Sequence, residues 1–555
     1  LLFVAVNPLG FGQVQSNLEL LDIFNMEYVS DPQISPDGSK IIYVRNFKDV
    51  MTDRNLSNLW IINFDGSNNR PLTTGNQNDF APKWSHDGKK IVFKSNMADD
   101  KMKLYLMWLD TKETMALTNT PQSPGSVSWS HDDTHVAFNM FVPEANKSII
   151  KMPGKPEGAK WNEPPKYIDK MNYRGDGAGY YKGGNSQLFT LPISGGTPKQ
   201  LTFSEFDHGG PIWATDNAHL YFSANFHKDE EFEPADSEIY SINVNTGETN
   251  PLTDRYGPDS NPILSPDGSK IAYLGYDDRL QGYQLTQLYV MNADGSDSQL
   301  ISGDFDRDVE DMAWNSKGNG LHFIYTDKGM GKLASIELSG KVSDITYGLG
   351  GLSLGRPYNA ASFSASTNNK FAYTLGDTSH PSDLGVADTK SSKRLTAVND
   401  DLFSFKKLGK VEEMWWESSY DQRKIQGWVV TPPDFDPSKK YPMILEIHGG
   451  PFTSYGAVYS AEIQAYAAEG YVVLYTNPRG STSYGEEFGN LIHHDYPNHD
   501  YEDLMSGVDA LLEKGYVDED NLFVTGGSGG GVLTAWIVGK TDRFKAAVVA
   551  KPVIN

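Results

Sequence analysis

The sequence predicts a seven-bladed β-propeller over the first two thirds of the chain, followed by an α/β domain. Two observations support this division. A short turn-and-strand pattern recurs seven times before residue 400, and beyond it apolar strands alternate with helical stretches. The chain has 555 residues. At roughly 150 residues per domain, this length is sufficient for two or more domains with their own cores.

The repeated pattern begins as SPDGSKIIYV at 35–44 and returns as SHDGKKIVF at 85–93. Its Ser, Pro and Gly favour a type I turn, and the alternating apolar residues that follow predict a half-buried strand. A second strand-turn-strand element follows each copy, as in KLYLMWLDTKETMALTN. Four strands per unit, at intervals of about 45 to 50 residues, are typical of a propeller blade, whereas a two-sheet sandwich would not repeat one pattern seven times. We assign residues 17–400 to the propeller. The other copies begin at Ser130, Thr215, Ser265, Asn315 and Ala365.

Two loops interrupt the regular spacing. About 35 extra residues lie between Ser130 and Thr215. Long insertions in repeat proteins often serve binding, and a plain surface loop is the alternative. The second loop, His227 to Glu238, is strongly acidic, which is typical of a solvated face.

Composition excludes several classes of function. The chain has 48 Lys and Arg against 72 Asp and Glu. Its net charge of −24 therefore has the wrong sign for non-specific binding to nucleic acid or to an anionic membrane. The chain has no cysteine, so thiol nucleophiles, disulfides and cysteine-bound zinc are excluded. No motif predicts a metal ion or a cofactor. Homo-oligomerisation is left open.

The N-terminal residues 1–16 resemble the end of a secretory signal, because the apolar run LLFVAV is followed by small residues. This predicts a periplasmic or secreted protein, with a cytoplasmic one as the alternative. No later segment approaches the ~18 consecutive apolar residues that a membrane span requires.

Residues 401–555 are predicted to form the α/β domain. The segments YPMILEIHGGP and YVVLYTNPRGS contain apolar strands, and HDYEDLMSGVDALLEKGY has apolar residues at helical spacing. Continuous apolar strands between helices indicate a parallel sheet covered on both faces.

One motif in this domain predicts chemistry. Residues 526–530 read GGSGG and match G-x-S-x-G, between an apolar strand and a helix. In an α/β-hydrolase domain this pattern forms a sharp turn that projects the serine hydroxyl above the sheet, and the glycines let strand and helix approach. Ser528 is therefore the predicted nucleophile. A phosphate-binding loop is the alternative, but neither G-x-G-x-x-G nor a G-K-[ST] ending is present.

Two backbone N–H groups are predicted to form an oxyanion hole. One belongs to Gly529, directly after the nucleophile, and the other to Gly450 in the HGGP turn at 448–451. A plain glycine turn is the alternative for Gly450. We expect His448 to brace this turn rather than to transfer protons.

A repeat domain followed by HGGPF, NPRGSTSYGEEF and GGSGGG, in that order, resembles the prolyl oligopeptidase family of serine peptidases. Within this family the chain is similar to the acylaminoacyl-peptidase and dipeptidyl-aminopeptidase branch. The resemblance covers nearly the whole chain from about Leu18 and is specific in the last third. It implies hydrolysis of short peptides by Ser528, with Gly529 and Gly450 as N–H donors and a propeller that excludes folded proteins.

Two departures from the family pattern are evident. The family commonly has Tyr after the nucleophile, where this chain has Gly529. The family order is Ser, Asp, His, but Ser528 is followed by Asp542 and by no histidine. His448, His493, His494 and His499 precede the nucleophile and are expected to be loop residues. We therefore interpret the sequence as an α/β-hydrolase domain that appears truncated at its C-terminus, without the triad Asp and His.

The leading hypothesis is an exported serine peptidase that removes an acyl-amino acid or a dipeptide from peptide N-termini. An esterase on the same fold is the second hypothesis, and a non-catalytic propeller with a vestigial hydrolase domain is the third. If the enzyme is of the dipeptidyl type, a carboxylate must bind the free α-amine. Glu230 and Glu231 are the candidates, because they lie in the acidic propeller loop.

Overall fold

A computed structural model of the chain describes residues 15–144, 153–162 and 166–554. Most of the predicted signal remnant, 1–16, lies outside the described residues, as do parts of the insertion after Ser130. No helix in these ranges is both long enough and apolar enough to cross a bilayer.

Antiparallel sheets occupy the chain from residue 28 to residue 394. Consecutive strands of each sheet are neighbours, apart from Phe363–Ala365, which pairs with Phe371–Asp377 and not with Val342–Leu349. Among the described residues five of these sheets have four strands and one has eight, in which Leu349 and Leu375 join two four-stranded halves. The four-stranded sheets comprise Tyr28–Ile34, Lys40–Asp49, Arg54–Asn63 and Arg70–Pro71; Asp79–Trp84, Lys90–Ser95, Lys103–Trp108 and Thr114–Ala116; Pro124–Trp129, His135–Pro143, Gly184–Pro192 and Lys199–Gln200; Ile212–Trp213, His219–Ala224, Glu238–Asn243 and Thr249–Pro251; and Asp259–Leu264, Lys270–Gly275, Gln287–Asn292 and Gln299–Leu300. The eight-stranded sheet comprises Asp311–Trp314, Gly320–Asp327, Met330–Glu337, Val342–Leu349, Phe363–Ala365, Phe371–Asp377, His380–Ala387 and Ser392–Arg394.

The turn that starts each unit is held by its own side chains. In the first copy the Ser35 hydroxyl donates to Asp37 Oδ1 at 2.6 Å and accepts from the backbone N–H of Lys40. The Ser85 hydroxyl makes the same bond to Asp87 at 2.6 Å. The serine and the acidic residue of the repeat therefore close the turn and start the strand that follows it.

Neighbouring units pack face to face, with an apolar cluster between each pair. The first and last units also share a cluster, in which Val29 and Tyr43 meet Leu384. The ring is thus closed by side-chain packing. Tryptophans add hydrogen bonds between units: Trp84 Nε1 donates to the Gln33 carbonyl and Trp129 Nε1 to the Lys83 carbonyl.

The second domain contains a six-stranded sheet with the order β1-β2-β4-β3-β5-β6. Its strands and main helices are β1 (Lys410–Glu417), β2 (Lys424–Thr431), β3 (Tyr441–Ile447), α1 (Ala461–Ala468), β4 (Val472–Asn477), α2 (Asp500–Leu512), β5 (Val517–Gly527), α3 (Gly529–Lys540) and β6 (Ala546–Ala550). Strands β3 to β6 are parallel, but β1 and β2 run antiparallel. The prediction of a parallel sheet was wrong for the strand in IQGWVVTPP, which is β2 and is antiparallel to both neighbours, and β1 was not predicted. β1 and β2 form a hairpin across a short turn, and such a turn cannot make a parallel crossover.

Apolar residues cover both faces of this sheet. Leu504 and Ile537 of the helices pack with Leu445 on one face, and Ile463 packs with Tyr475 on the other. The edge strand β6 is less covered, with Val548 62% exposed. A short parallel pairing of Ser16–Asn17 with Lys406–Lys407 brings the described start of the chain to this domain. The remaining elements are the short helices Leu20–Asn25, Asp400–Phe403, Glu486–Gly489 and Asn490–Ile492, and a hairpin of Arg174–Gly175 with Gly179–Tyr180.

Candidate active site

Ser528 lies on the sharp turn between β5 and α3. Its φ of 56° and ψ of −118° are outside the usual regions for a side chain, and the residue is exposed. Such strain at a single polar residue is typical of functional sites. Glycines on either side make the turn sterically feasible, because a Cβ on Gly526 would overlap Gly530 and one on Gly530 would overlap the Ile447 carbonyl.

The HGGP turn lies directly beside this serine. The position that a Cβ of Gly449 would occupy is 3.4 Å from Ser528 Cβ. A Cβ on Gly529 would lie 2.9 Å from the carbonyl carbon of Gly450, so the first turn of α3 and the HGGP turn are in close contact. Gly450 has φ 112°, a conformation that glycine adopts readily. The fold therefore brings Ser528, Gly529 and Gly450 together.

Two backbone N–H groups beside Ser528 are free of protein acceptors in the described part of the chain. Among the described residues, neither the Gly450 N–H nor the Gly529 N–H donates to a protein acceptor. Gly529 is also the first residue of α3, where the helix dipole favours negative charge. The Ser528 hydroxyl likewise has no partner in the described part of the chain. This arrangement can receive a carbonyl oxygen that becomes negatively charged.

His448 is a structural residue of the HGGP turn. Its Nδ1 lies 2.6 Å from the Gly449 carbonyl and its Nε2 lies 2.8 Å from Ser481 Oγ. Because a carbonyl only accepts, Nδ1 donates to Gly449. The Ser481 hydroxyl beside Nε2 donates to the Pro478 carbonyl at 2.6 Å. Burial lowers the His448 pKa to about 4. The side chain is therefore neutral near pH 7 and braces the turn.

The other histidines of the domain lie in loops. His493 Nδ1 accepts from the Gly282 N–H, which belongs to the repeat domain. His494 packs against His493, and His499 stacks on Tyr420 at 3.4 Å between ring centroids. Within the described residues, none of these rings makes a hydrogen bond with Ser528.

A segment from the eight-stranded sheet reaches this site. Arg356 Nε lies 3.2 Å from Glu446 Oε1 in β3, and the Tyr358 hydroxyl accepts from the Gly449 N–H at 2.7 Å. Glu446 is fully buried and also accepts from the Tyr455 hydroxyl at 2.9 Å. Burial raises the Glu446 pKa to about 7, although Arg356 acts to lower it.

Sequence analysis did not identify Arg356, Tyr358 or Glu446. One signal was available for Glu446, because a charged residue in the apolar run MILEIH requires a buried partner. Arg356 and Tyr358 lie between two repeat copies and carry no comparable signal.

The acidic loop is held by contacts within the repeat domain. Burial raises the Glu230 pKa, while Lys170 acts to lower it and Glu231 to raise it. In the described part of the chain neither Glu230 nor Glu231 contacts Ser528. Their role in amine recognition therefore stays a prediction.

Three potential metal ligands also meet at this loop. Ligand atoms of His227, Asp236 and Glu238 lie within 4.8 Å of one another. Imidazole and carboxylate ligands suit a divalent cation. Exposed acidic groups are common without one, and of these three residues only Glu238 is buried. The expectation of no metal stays a prediction.

Comparison with known proteins supports these observations. Residues 457–555 match the model of the prolyl oligopeptidase family of peptidases. Over 552 residues the chain is 30% identical to the uncharacterized peptidase YuxL of Bacillus subtilis, covering 96% of this chain and 82% of that protein. It is 26% identical to dipeptidyl-peptidase 5 of Porphyromonas gingivalis, covering 94% of this chain and 76% of the relative.

Solved structures share the fold. The structure of an acylaminoacyl peptidase in complex with Z-Gly-Gly-Phe-chloromethyl ketone superimposes with a TM-score of 0.78 at 21% identity, over 94% of this chain and 77% of that one. A puromycin-hydrolyzing peptidase of Mycobacterium tuberculosis has a TM-score of 0.68 at 18% identity, over 97% and 79% of the two chains.

These features define a peptidase with a propeller ahead of a hydrolase domain. The chain belongs to the prolyl oligopeptidase family.

Proposed function

We propose that this chain is a serine peptidase that uses Ser528 as its nucleophile. The observation that carries the proposal is the position of Ser528. Its exposed side chain lies on a strained turn, close to the free N–H groups of Gly450 and Gly529. The carbonyl group of a substrate peptide bond bound here would have the Ser528 hydroxyl on one side and the two N–H donors on the other.

The reaction follows from these groups. Ser528 Oγ attacks the carbonyl carbon while a base takes its proton, and the N–H groups of Gly450 and Gly529 stabilise the oxyanion. The C–N bond then breaks, and the amine leaves with a proton. Water next attacks the acyl-enzyme ester and restores the hydroxyl. The histidines in the described part of the hydrolase domain make other contacts, so the proposal assigns none of them as the base.

We further propose that the repeat domain is a seven-bladed propeller that limits access to short peptides. The eight-stranded sheet counts as two blades in this interpretation, because its halves are joined by the single pair Leu349 and Leu375. Apolar clusters between all neighbouring units support a closed ring. A folded protein would be too wide to pass such a ring.

Cleavage near the N-terminus of the substrate is supported by the names of the relatives, which include a dipeptidyl-peptidase and an acylaminoacyl peptidase. The two activities differ in whether the substrate amine is free. We propose that Glu230 and Glu231 bind a free amine, in which case Ala-Ala-anilide is cleaved in preference to acetyl-Ala-anilide. Replacing both residues by Gln would raise KM for Ala-Ala-anilide only. A preference for the acetylated substrate would contradict amine recognition.

The nucleophile is tested by replacing Ser528 with Ala in the full-length protein. Hydrolysis should fall on the order of 10⁴-fold or more, and labelling by a fluorophosphonate should be lost. Ser506→Ala is the matched control, because this hydroxyl donates to the Glu502 carbonyl on α2, accepts from the Ser419 N–H and makes no hydrogen bond with Ser528. Labelling that persists in Ser528→Ala would show that another residue is the nucleophile.

A further inference from the structure

The segment Leu354 to Tyr358 leaves the eight-stranded sheet and is fixed to the hydrolase domain. The Ala461 N–H donates to the Leu354 carbonyl at 2.8 Å, and the Gly456 N–H donates to the Pro357 carbonyl at 2.7 Å. Backbone pairing of this kind holds a segment more tightly than surface side-chain contacts. The end of the segment therefore has a defined position against the catalytic domain.

The ring of Tyr358 is held by packing as well. It lies 4.9 Å from the buried ring of Tyr455, measured between centroids, and the two residues form an antiparallel bridge. Packing of the ring determines where the hydroxyl lies. The hydroxyl is thereby placed against the HGGP turn.

Tyr358 contacts the HGGP turn at the peptide group directly before the Gly450 N–H, which is the predicted oxyanion-hole donor. The Tyr358 oxygen accepts from the Gly449 N–H at 2.7 Å, and Gly449 is followed by Gly450. His448 holds the other side of the turn through Ser481. With both neighbouring groups fixed, the Gly450 N–H has one orientation and stays free for an oxyanion.

Tyr358 also lies close to the nucleophile. The point that a Cβ of Gly449 would occupy is 3.2 Å from the Tyr358 oxygen and 3.4 Å from Ser528 Cβ. Hydroxyl and nucleophile therefore flank the same glycine. A side chain at 449 would press on the Tyr358 oxygen, because a Cβ contact of 3.2 Å is tighter than most.

We infer that Tyr358, a residue of the repeat domain, is a positioning residue for the oxyanion hole. This inference rests on the proposed function, because it assigns Tyr358 to the reaction of Ser528. Its consequence is that the hydrolase domain does not form its oxyanion hole alone. The propeller supplies part of the catalytic geometry as well as limiting access.

The test is Tyr358→Phe in the full-length protein, which keeps the ring and removes the hydroxyl. We expect kcat for a peptide anilide to fall by about tenfold or more, while KM changes less than about twofold. Affinity for a peptide aldehyde, whose adduct places an oxyanion in the hole, should fall by a similar factor. Tyr466→Phe is the matched control, because its hydroxyl bonds to Glu462 at 2.9 Å on α1 and does not contact the HGGP turn.

If Tyr358 had a merely structural role, Tyr358→Phe would lower the melting temperature and the amount of active enzyme. It would not change the ratio of the affinity for the aldehyde to the affinity for the substrate. The ratio of aldehyde to substrate affinity reports on folded molecules only, so it remains informative if Tyr358→Phe is less stable. Unchanged kcat and aldehyde affinity in Tyr358→Phe, with an active wild type, would overturn this inference alone. A wild type without activity and without labelling at Ser528 would overturn the proposed function and this inference together.

Discussion

The guanidinium of Arg356 lies against the fully buried carboxylate of Glu446, with 3.2 Å between Nε and Oε1. Arg356 belongs to the repeat domain and Glu446 to β3, two residues before His448. Arg356 also lies 3.3 Å from Glu462 Oε2. A buried charge without its partner is strongly destabilising, so this pair ties the two domains together beside the HGGP turn.

Replacing Arg356 by Met should therefore lower the free energy of unfolding by about 3 kcal/mol or more. Glu446→Gln in the same chain should recover much of the loss, because the unpaired charge is then absent. Urea unfolding, monitored by tryptophan fluorescence, measures the free energy of unfolding of the single and the double variant. The control is Arg423→Met, whose partner Glu487 is 70% exposed, and this change should cost less than about 1 kcal/mol. A similar small cost for Arg356→Met would show that the pair does not couple the domains.

The same pair predicts a pH dependence. Burial raises the Glu446 pKa from its ordinary value of 4.5 to about 7, so ionisation of this carboxyl lowers stability as pH rises between those values. Without Arg356 the folded-state pKa rises further. The destabilisation by Arg356→Met should thus be larger at pH 8 than at pH 5.5. An equal loss at both pH values would contradict a charge-based role.

The lowered pKa of His448 predicts that the protein loses stability in acid. Its folded-state pKa of about 4 lies below the ordinary value of 6.5, so the unfolded chain binds the proton first. The contribution is complete above pH 6.5 and is lost as pH falls toward 4. His448→Gln should reduce the fall in melting temperature between pH 7 and pH 5. Part of the fall should remain, because burial also lowers the His322 pKa to about 4. An equal fall in melting temperature for wild type and His448→Gln would show that His448 is not a buried neutral histidine.

Gly529 should tolerate no side chain. A Cβ at this position would lie 2.9 Å from the Gly450 carbonyl oxygen, so Gly529→Ala must displace the HGGP turn. We expect kcat to fall by about tenfold or more, measured with a peptide anilide. Gly539→Ala is the control on the same helix, since a Cβ there meets no atom within 4 Å. It should leave kcat unchanged and stabilise α3 by roughly 0.5 to 1 kcal/mol. Equal kcat in both variants would mean that the close contact is unimportant.

Tryptophan hydrogen bonds between units should contribute to the stability of the ring. Trp129→Phe removes the bond from Nε1 to the Lys83 carbonyl, a donor-acceptor pair at 3.1 Å, and should cost about 1 to 3 kcal/mol. Trp415→Phe removes a bond to the Glu413 side chain from a residue that is 40% exposed, and should cost little. Thermal unfolding distinguishes the two. A larger loss for Trp415→Phe would contradict this role.

Local patterns made much of the fold predictable. Each turn of the repeat is closed by residues two to five positions apart, such as Ser35 with Asp37 and Lys40. The turn at Ser528 is likewise formed by adjacent glycines. Such signals are contained in short stretches of sequence, because the interacting groups are neighbours along the chain. The antiparallel direction of β1 and β2 was not predicted, since an apolar strand has the same pattern in either direction.

The sequence by itself determined the repeat domain, the hydrolase domain and Ser528 as the predicted nucleophile. Only the tertiary structure paired Arg356 with Glu446 and Tyr358 with Gly449. Tyr358 and Gly449 are 91 positions apart and lie in different domains, so no pattern of spacing joins them. Their contact exists because domain packing places one loop against another. A hydrogen bond between distant segments depends on that packing and leaves no periodic signal in the chain.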